Sequence, residues 1–205
     1  MLNTRESIKF EMPGGQAAEV RWPTDQEWID RAKRTRGKIK LLAGGRTAPV
    51  PADPDVAADA DLALFKAIAA STDFDEDTAL RVIGILDNGR LVSVTPEGSL
   101  VVVTMDVLGS KGVSPFRVTF TFNRPSMRQE RAYKAKGSVM VADKGGATFE
   151  AIPNYQFQER LYAELIDQTE GYDGPVPLTH KLAALAAAMS VDSEGEDEAA
   201  DELGF

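Results

Sequence analysis

The sequence predicts an α+β protein with two pseudo-equivalent repeats, each ordered as β-hairpin, basic helix, short β-hairpin and helix pair. Two segments share one chemical order: Pro, a hydroxyl residue, a basic helix, a short apolar run and a Gly pair. They are "VRWPTDQEWIDRAKRTRGKIKLLAGG" at 20–45 and "FNRPSMRQERAYKAKGSVMVADKGG" at 122–146. Alternating apolar residues precede each segment and helix-spaced apolar residues follow it, which is typical of strands and of amphipathic helices.

Each repeat is predicted to begin with a hairpin. In the first, "SIKFEM" and "AAEVRW" flank "PGGQ", and in the second, "LVVVTMDVL" and "FRVTFTF" flank "GSKGVSP". Apolar alternation on both sides of Gly and Pro is the usual hairpin pattern. An added hairpin at 89–108 is expected at the start of the second repeat, with Pro96 in the second position of a "TPEG" turn.

A basic helix is predicted next in both repeats. Thr24 with Glu27, and Ser126 with Gln129, have the spacing of a capping box, in which the hydroxyl accepts from a helix amide and the third residue reaches back. After the helix come Gly37 and Gly137, each in the place of a C-cap, and then the strand sequences "KIKLL" and "SVMVA". A turn at each Gly pair leads into a second short strand.

Two helices close each repeat. They are expected at 59–70 and 75–87 in the first repeat, and at 155–169 and 177–189 in the second. The repeats therefore span 1–88 and 89–189, and we expect them to be related by a pseudo-two-fold. Residues 190–205 form a predicted acidic flexible tail, because seven acids and no base follow from position 192 onward.

The residue inventory argues against an enzyme. The chain has no Cys and a single His, His180, which excludes thiolate chemistry and a pair of His ligands. Asp73, Asp75 and Asp77 have the spacing of calcium ligands, but the positions that need Gly and Glu hold other residues, so helix capping explains them better. The Gly pairs lack the spacing of a phosphate loop. We expect no catalytic site, no cofactor and no metal.

The basic helices carry the strongest functional signal. Six of the ten residues from 31 to 40 are basic, although the net charge of the chain is −9. Such a charge pattern suits steered contacts with an acidic protein surface, or, as the alternative, contacts of a nucleic-acid-binding module with a phosphate backbone. The residues expected at an interface are Trp22, Trp28, Arg31, Arg34, Arg128, Arg131, Tyr133 and Lys134.

Three stretches, "WPTDQEWIDRAKR", "LLAGGRT" and "LYAELIDQTEGYDGPVPLTHKLAALAAAM", resemble uncharacterised proteins of tailed phages and prophages. This resemblance implies a component of virion structure or morphogenesis, in the capsid or the tail or as a transient assembly factor. It further implies a multi-copy assembly with other phage structural proteins, and location in the virion after synthesis in the host cytoplasm. No apolar run approaches the length of a membrane helix, so no membrane partner is expected.

Overall fold

The computed structural model describes residues 1–11, 17–42, 46–70, 74–109, 114–142 and 148–191. Within these ranges the chain forms six helices and four β-sheets, which confirms the α+β class. The predicted acidic tail lies outside the described residues from position 192 onward, as do both Gly pairs.

The helices begin where side chains cap them. Both predicted capping boxes are formed, at Thr24 with Glu27 and at Ser126 with Gln129. The second helix begins at Pro54, earlier than expected, because Asp53 accepts from the amide of Asp55 and the fixed φ of Pro suits a first helical turn. The six helices are α1 Asp25–Thr35, α2 Pro54–Ile68, α3 Glu76–Asp87, α4 Met127–Lys136, α5 Tyr155–Leu165 and α6 Leu178–Ala188.

All described strand pairs but one are antiparallel, the exception being the pairing of the first strand with the last. The strands are β1 Leu2–Asn3, β2 Ile8–Glu11, β3 Ala17–Val20, β4 Lys38–Leu41, β5 Thr47–Val50, β6 Gly89–Glu97, β7 Leu100–Val107, β8 Phe116–Asn123, β9 Ser138–Ala142, β10 Thr148–Pro153, β11 Ile166–Glu170 and β12 Tyr172–Asp173. The sheets have the orders β1-β12, β2-β3, β5-β4-β10-β9 and β11-β8-β7-β6.

One hydrophobic core holds both halves of the chain together. The sheet β11-β8-β7-β6 buries alternate residues of its central strands, such as Val103 on β7 and Phe120 on β8, and α6 packs on β6 and β7. Trp28 and Phe65 from the first half belong to the same cluster as these residues. The two predicted repeats therefore share a core.

The sheet β5-β4-β10-β9 contradicts the expected two-fold relation between the halves. In the predicted repeat, β4 corresponds to β9 and β5 to β10. In a four-stranded sheet, a two-fold axis would exchange the two central strands, so these would have to be equivalent, as β4 and β9 or β5 and β10. The central strands are instead β4 and β10, which are not equivalent. The predicted elements occur in the predicted order in both halves, with the unpredicted strands β1, β11 and β12 added, but the internal repeat itself is not confirmed and stays a prediction.

Two local predictions were wrong. The helix expected at 155–169 ends at Leu165, because Ile166–Glu170 forms β11 and pairs with the edge of β8. Pro96 lies inside β6, opposite Val101, and the turn falls after it at Gly98, whose φ is +63°. A Pro is tolerated in β6 because β6 is an edge strand, where its missing N–H leaves no neighbour unpaired.

No described helix has both the length and the apolar character needed to cross a membrane.

Candidate interaction surface of the basic helices

Trp28 lies in the core and does not form part of the molecular surface. It is on the inner face of α1, only 3% exposed, and packs within the central hydrophobic cluster. An aromatic anchor has to reach a pocket on its partner, so this burial excludes Trp28 from the expected interface. Trp28 is the one fully buried residue of α1 and anchors this helix in the core.

Arg31 is a structural ion-pair residue. Its Nε donates to Asp61 Oδ1 at 2.5 Å and one terminal nitrogen donates to Asp87 Oδ2 at 2.8 Å, so it links α1 to α2 and α3. The guanidinium also lies over the Trp28 ring, 5.3 Å from its centroid. Burial opposes the charge of Arg31, but its hydrogen bond to the Asp61 carboxylate and the negative charge of Asp87 outweigh burial and raise the pKa of Arg31. Arg31, which the sequence placed among the expected interface residues, is thus engaged within the chain, and its side chain is only 14% exposed.

The remaining residues expected on the first helix divide between structure and surface. Trp22 is half-buried, donates from Nε1 to the carbonyl of Asn3 at 3.2 Å, and meets the His180 ring edge-on. Arg34 is exposed and lines a groove of about 160 Å³ between α1 and α2, whose floor includes Leu64. Of the four residues expected at this interface from the first half, only Arg34 is fully exposed.

The second basic helix offers a free charged face. Arg128, Arg131 and Lys134 are exposed and form no ion pair with another described residue. Their spacing of three residues aligns them along one side of α4. No residue of α4 is fully buried, and Met127 at its start is 59% exposed. The structure therefore brings three of the expected interface residues together on one surface.

Tyr133, the fourth residue expected on α4, faces inward. It is half-buried against the hydrophobic core, and this burial raises the pKa of its hydroxyl. Neither Trp28 nor Tyr133 is therefore available as an exposed stacking platform beside the basic side chains.

A groove of about 400 Å³ runs between α4 and α5 beside the free basic face. Its apolar part includes Ala132 and Phe157, and Arg128 and Arg160 border it. Across it, Gln129 Nε2 donates to Glu164 Oε1 at 2.7 Å, which fixes α4 against α5. Nothing in the sequence specifically indicated Arg160, which stands as a single basic residue on α5.

A second basic cluster lies at the C-terminal end of α1. Arg36 donates from one terminal nitrogen to Glu150 Oε1 on β10 at 2.8 Å, which joins the two halves of the chain. A cavity of about 350 Å³ beside it is also lined by Lys33, Arg34 and Asp53. Here Lys33 and Arg36 are paired with the carboxylates of Asp30 and Glu150 of the same chain, whereas the three basic residues of the α4 row pair with no described residue.

Asp75 and His180 each have a partner within the fold. Asp75 caps α3 and accepts from the amide of Thr78 at 2.7 Å, a hydrogen bond that lowers the pKa of Asp75, whereas Asp73 lies outside the described residues. No cluster of three or more His, Asp or Glu side chains able to hold a metal occurs in the described ranges. His180 is 1% exposed and its Nδ1 lies 2.8 Å from the hydroxyl of Tyr172. Burial lowers the pKa of His180 to about 4, against a weaker opposing effect of Asp87.

Comparison of the chain with protein-family models, curated proteins and solved structures finds no match. The surface of α4 and its groove with α5 are therefore the features on which a function has to be argued. With positive charge beside a partly apolar groove, this surface is suited to binding an acidic partner.

Proposed function

We propose that the protein is a non-enzymatic structural or assembly component of a tailed bacteriophage particle, in the capsid or the tail, that acts through protein–protein contacts. The observation that supports this contact is the row of three basic side chains on α4, Arg128, Arg131 and Lys134, which form no ion pair with another described residue. The phage setting comes from the resemblance of residues 21–46 and 161–189 to tailed-phage proteins. The protein is made in the host cytoplasm and ends in the virion.

The partner surface is acidic, by complementarity with α4. Arg128, Arg131 and Lys134 supply the charge, which steers the encounter and sets the orientation of the two proteins. Exposed charge pairs contribute little binding free energy. The apolar part of the α4–α5 groove, around Phe157, supplies the apolar surface that is buried on binding. The partner is another structural protein of the particle.

Two observations favour a protein partner over nucleic acid. Single-strand binding relies on exposed aromatic side chains on which bases stack, whereas Trp28 lies in the core and Tyr133 is half-buried against it. Duplex binding relies on many neutralised phosphates, and the free row has three cations on a chain whose net charge is −9. Nucleic-acid binding is the second candidate because the same row would serve it.

The test is charge reversal on α4. The double variant Arg128→Glu/Arg131→Glu, produced in a host that makes the particles, is expected to be folded by circular dichroism but absent from purified particles. The matched control Arg46→Glu/Lys66→Glu makes the same change in net charge at two exposed positions, before β5 and on α2, neither of which is expected at an interface. It is expected in particles at the wild-type level.

Incorporation of the α4 variant at the wild-type level would overturn the docking surface, and absence of the wild type from particles would overturn the virion role. Titration with single- and double-stranded oligonucleotides at low and physiological salt distinguishes the second candidate. Tight, steeply salt-dependent binding that the α4 variant alone loses would establish nucleic acid as the partner.

A further inference from the structure

Strand β9 forms a bare edge of the sheet that joins the two halves. In the order β5-β4-β10-β9 it pairs with β10 on one side, and no described strand pairs with its other side. All five of its residues are exposed, and Val139, Met140 and Val141 are 53%, 53% and 43% exposed. Its unpaired N–H and C=O groups and its apolar side chains are thus presented together.

The other edges of the four-stranded sheets carry features that oppose strand addition. β5 contains Pro49, which has no N–H to offer, and β6 contains Pro96 and a register shift after Leu91. β11 bears Asp167 and Glu170. Proline, charge and bulges are the usual protections of natural edge strands. β9, with the sequence SVMVA, has none of them.

The hydrogen-bonding groups on the free side of β9 can be assigned from the pairing with β10. Asn154 donates to the carbonyl of Gly137 at 2.9 Å, and the residue that Gly137 faces in this ladder is Asn154. Because successive residues of a strand point their N–H and C=O to opposite sides, every second residue from Gly137 faces β10. The groups at the free edge therefore belong to Ser138, Met140 and Ala142.

The strand sequence suits antiparallel pairing with itself. SVMVA reads the same in both directions except for Ser and Ala at its ends. In a pair centred on Met140, that residue faces its own copy, and Val139 of one chain faces Val141 of the other. The strand carries no charge, so the pairing brings no like charges together, and apolar residues face one another across the strands.

We propose that two copies of this chain associate by antiparallel pairing of β9 with β9, centred on Met140, to form one continuous sheet of eight strands. Such a contact is isologous and closes at two chains, since each β9 has one free edge. A head-to-tail pairing of β9 with the free edge of β5 would meet Pro49 and lose a hydrogen bond. This inference concerns the chain alone and does not depend on the proposed function.

The contact is weak by its size. Five residues of a strand extend about 17 Å, and one strand edge buries far less than the roughly 800 Å² per partner of a standard stable complex. We therefore expect association that depends on concentration, and that becomes effective where many copies are held close together.

Charge placed at the centre of the pair tests the proposal. The control is Met127→Lys, which changes an exposed Met on α4. In sedimentation velocity over a concentration series, the average mass of the wild type and of this control is expected to rise towards twice the monomer mass. Met140→Lys and Met140→Glu, which each place like charges opposite one another, are expected to stay monomeric. An equimolar mixture of these two variants is expected to regain the dimer because Lys then faces Glu.

A second measurement uses the absence of Cys in the chain. Residues directly opposite in a hydrogen-bonded antiparallel pair have Cα atoms about 5.5 Å apart, which is within disulfide range. Mild oxidation is expected to cross-link Met140→Cys into dimers much faster than Met127→Cys. A wild type that stays monomeric at about 1 mM, dimers that Met140→Lys leaves unchanged, growth beyond two chains, or equal cross-linking rates would each overturn the proposal.

Discussion

Arg31 Nε lies 2.5 Å from Asp61 Oδ1, and this ion pair, shared with Asp87, joins three helices of the first half of the chain. Arg34, three residues later on the same helix, is exposed and forms no ion pair with another described residue. In sequence the two are equivalent members of one basic run. In the fold, one stabilises the helix packing and the other lies at the surface.

Arg31→Ala is expected to lower the free energy of unfolding by about 2 kcal/mol, because it leaves the carboxylates of Asp61 and Asp87 without their partner. The loss is smaller than for a fully buried ion pair because both carboxylates are partly exposed to water. Arg34→Ala is expected to change it by less than about 0.5 kcal/mol, as for an ordinary surface substitution. Urea unfolding followed by Trp fluorescence measures both. Equal midpoints for the two variants would contradict the structural role of Arg31.

His180 is expected to make stability fall with acidification between pH 6.5 and 4. Its pKa is about 4 in the folded chain against an ordinary 6.5, so the unfolded chain takes up the proton first as the pH drops. The contribution is complete above pH 6.5 and declines towards pH 4 by about 3 kcal/mol, at 1.36 kcal/mol for each unit of pKa difference.

The matched variant for this pH dependence is His180→Asn, whose side-chain amide can form a hydrogen bond with the Tyr172 hydroxyl, as the imidazole does, but does not titrate. The difference between the unfolding free energies of wild type and variant, measured from pH 7.5 to 4.5, is expected to shrink as the pH falls. A difference that stays constant across this range would show that His180 is not held neutral by burial.

Two glycines with positive φ are expected to differ in their tolerance of Ala. Gly98, with φ +63°, has open space where a Cβ would stand, so Gly98→Ala costs only the backbone strain of about 1 kcal/mol. Gly171, with φ +96°, would place a Cβ 2.8 Å from the carbonyl oxygen of Arg117 and 3.0 Å from Val118 Cγ1.

Gly171→Ala is therefore expected to lower the melting temperature by more than Gly98→Ala, which should lower it by about 2–4 °C for a chain of this size. Differential scanning calorimetry of the two variants measures this. The same shift for both would mean that the segment between β11 and β12 moves to accept the side chain.

The elements that could be predicted depend on residues close together in the chain. The starts of α1 and α4 follow from capping boxes that span four residues each, so Thr24 and Ser126 marked them in the sequence. The hairpin β7–β8 follows from apolar alternation around a Gly- and Pro-containing segment. On the candidate surface, the row of Arg128, Arg131 and Lys134 was predictable because helical spacing alone aligns it.

The elements that were missed depend on a distant partner. The helix pattern through Leu161 and Leu165 gave no sign of ending, and β11 forms because β8 offers it an edge. Leu2 pairs with Tyr172, far away in sequence, so β1 and β12 had no local signal. The order of strands in β5-β4-β10-β9 was equally hidden, because apolar alternation identifies a strand but not its neighbours.

From its own residues, then, the sequence determined the α+β class, the basic helices and their caps, because hydrogen bonds within a few residues and the periods of strand and helix decide these. Which basic side chains form ion pairs depends on the tertiary structure. Asp61, Asp87 and Glu150 approach α1 from other elements and engage Arg31 and Arg36, while no described carboxylate reaches the row on α4. An ion pair forms where packing brings opposite charges within about 4 Å, and sequence distance does not report that approach.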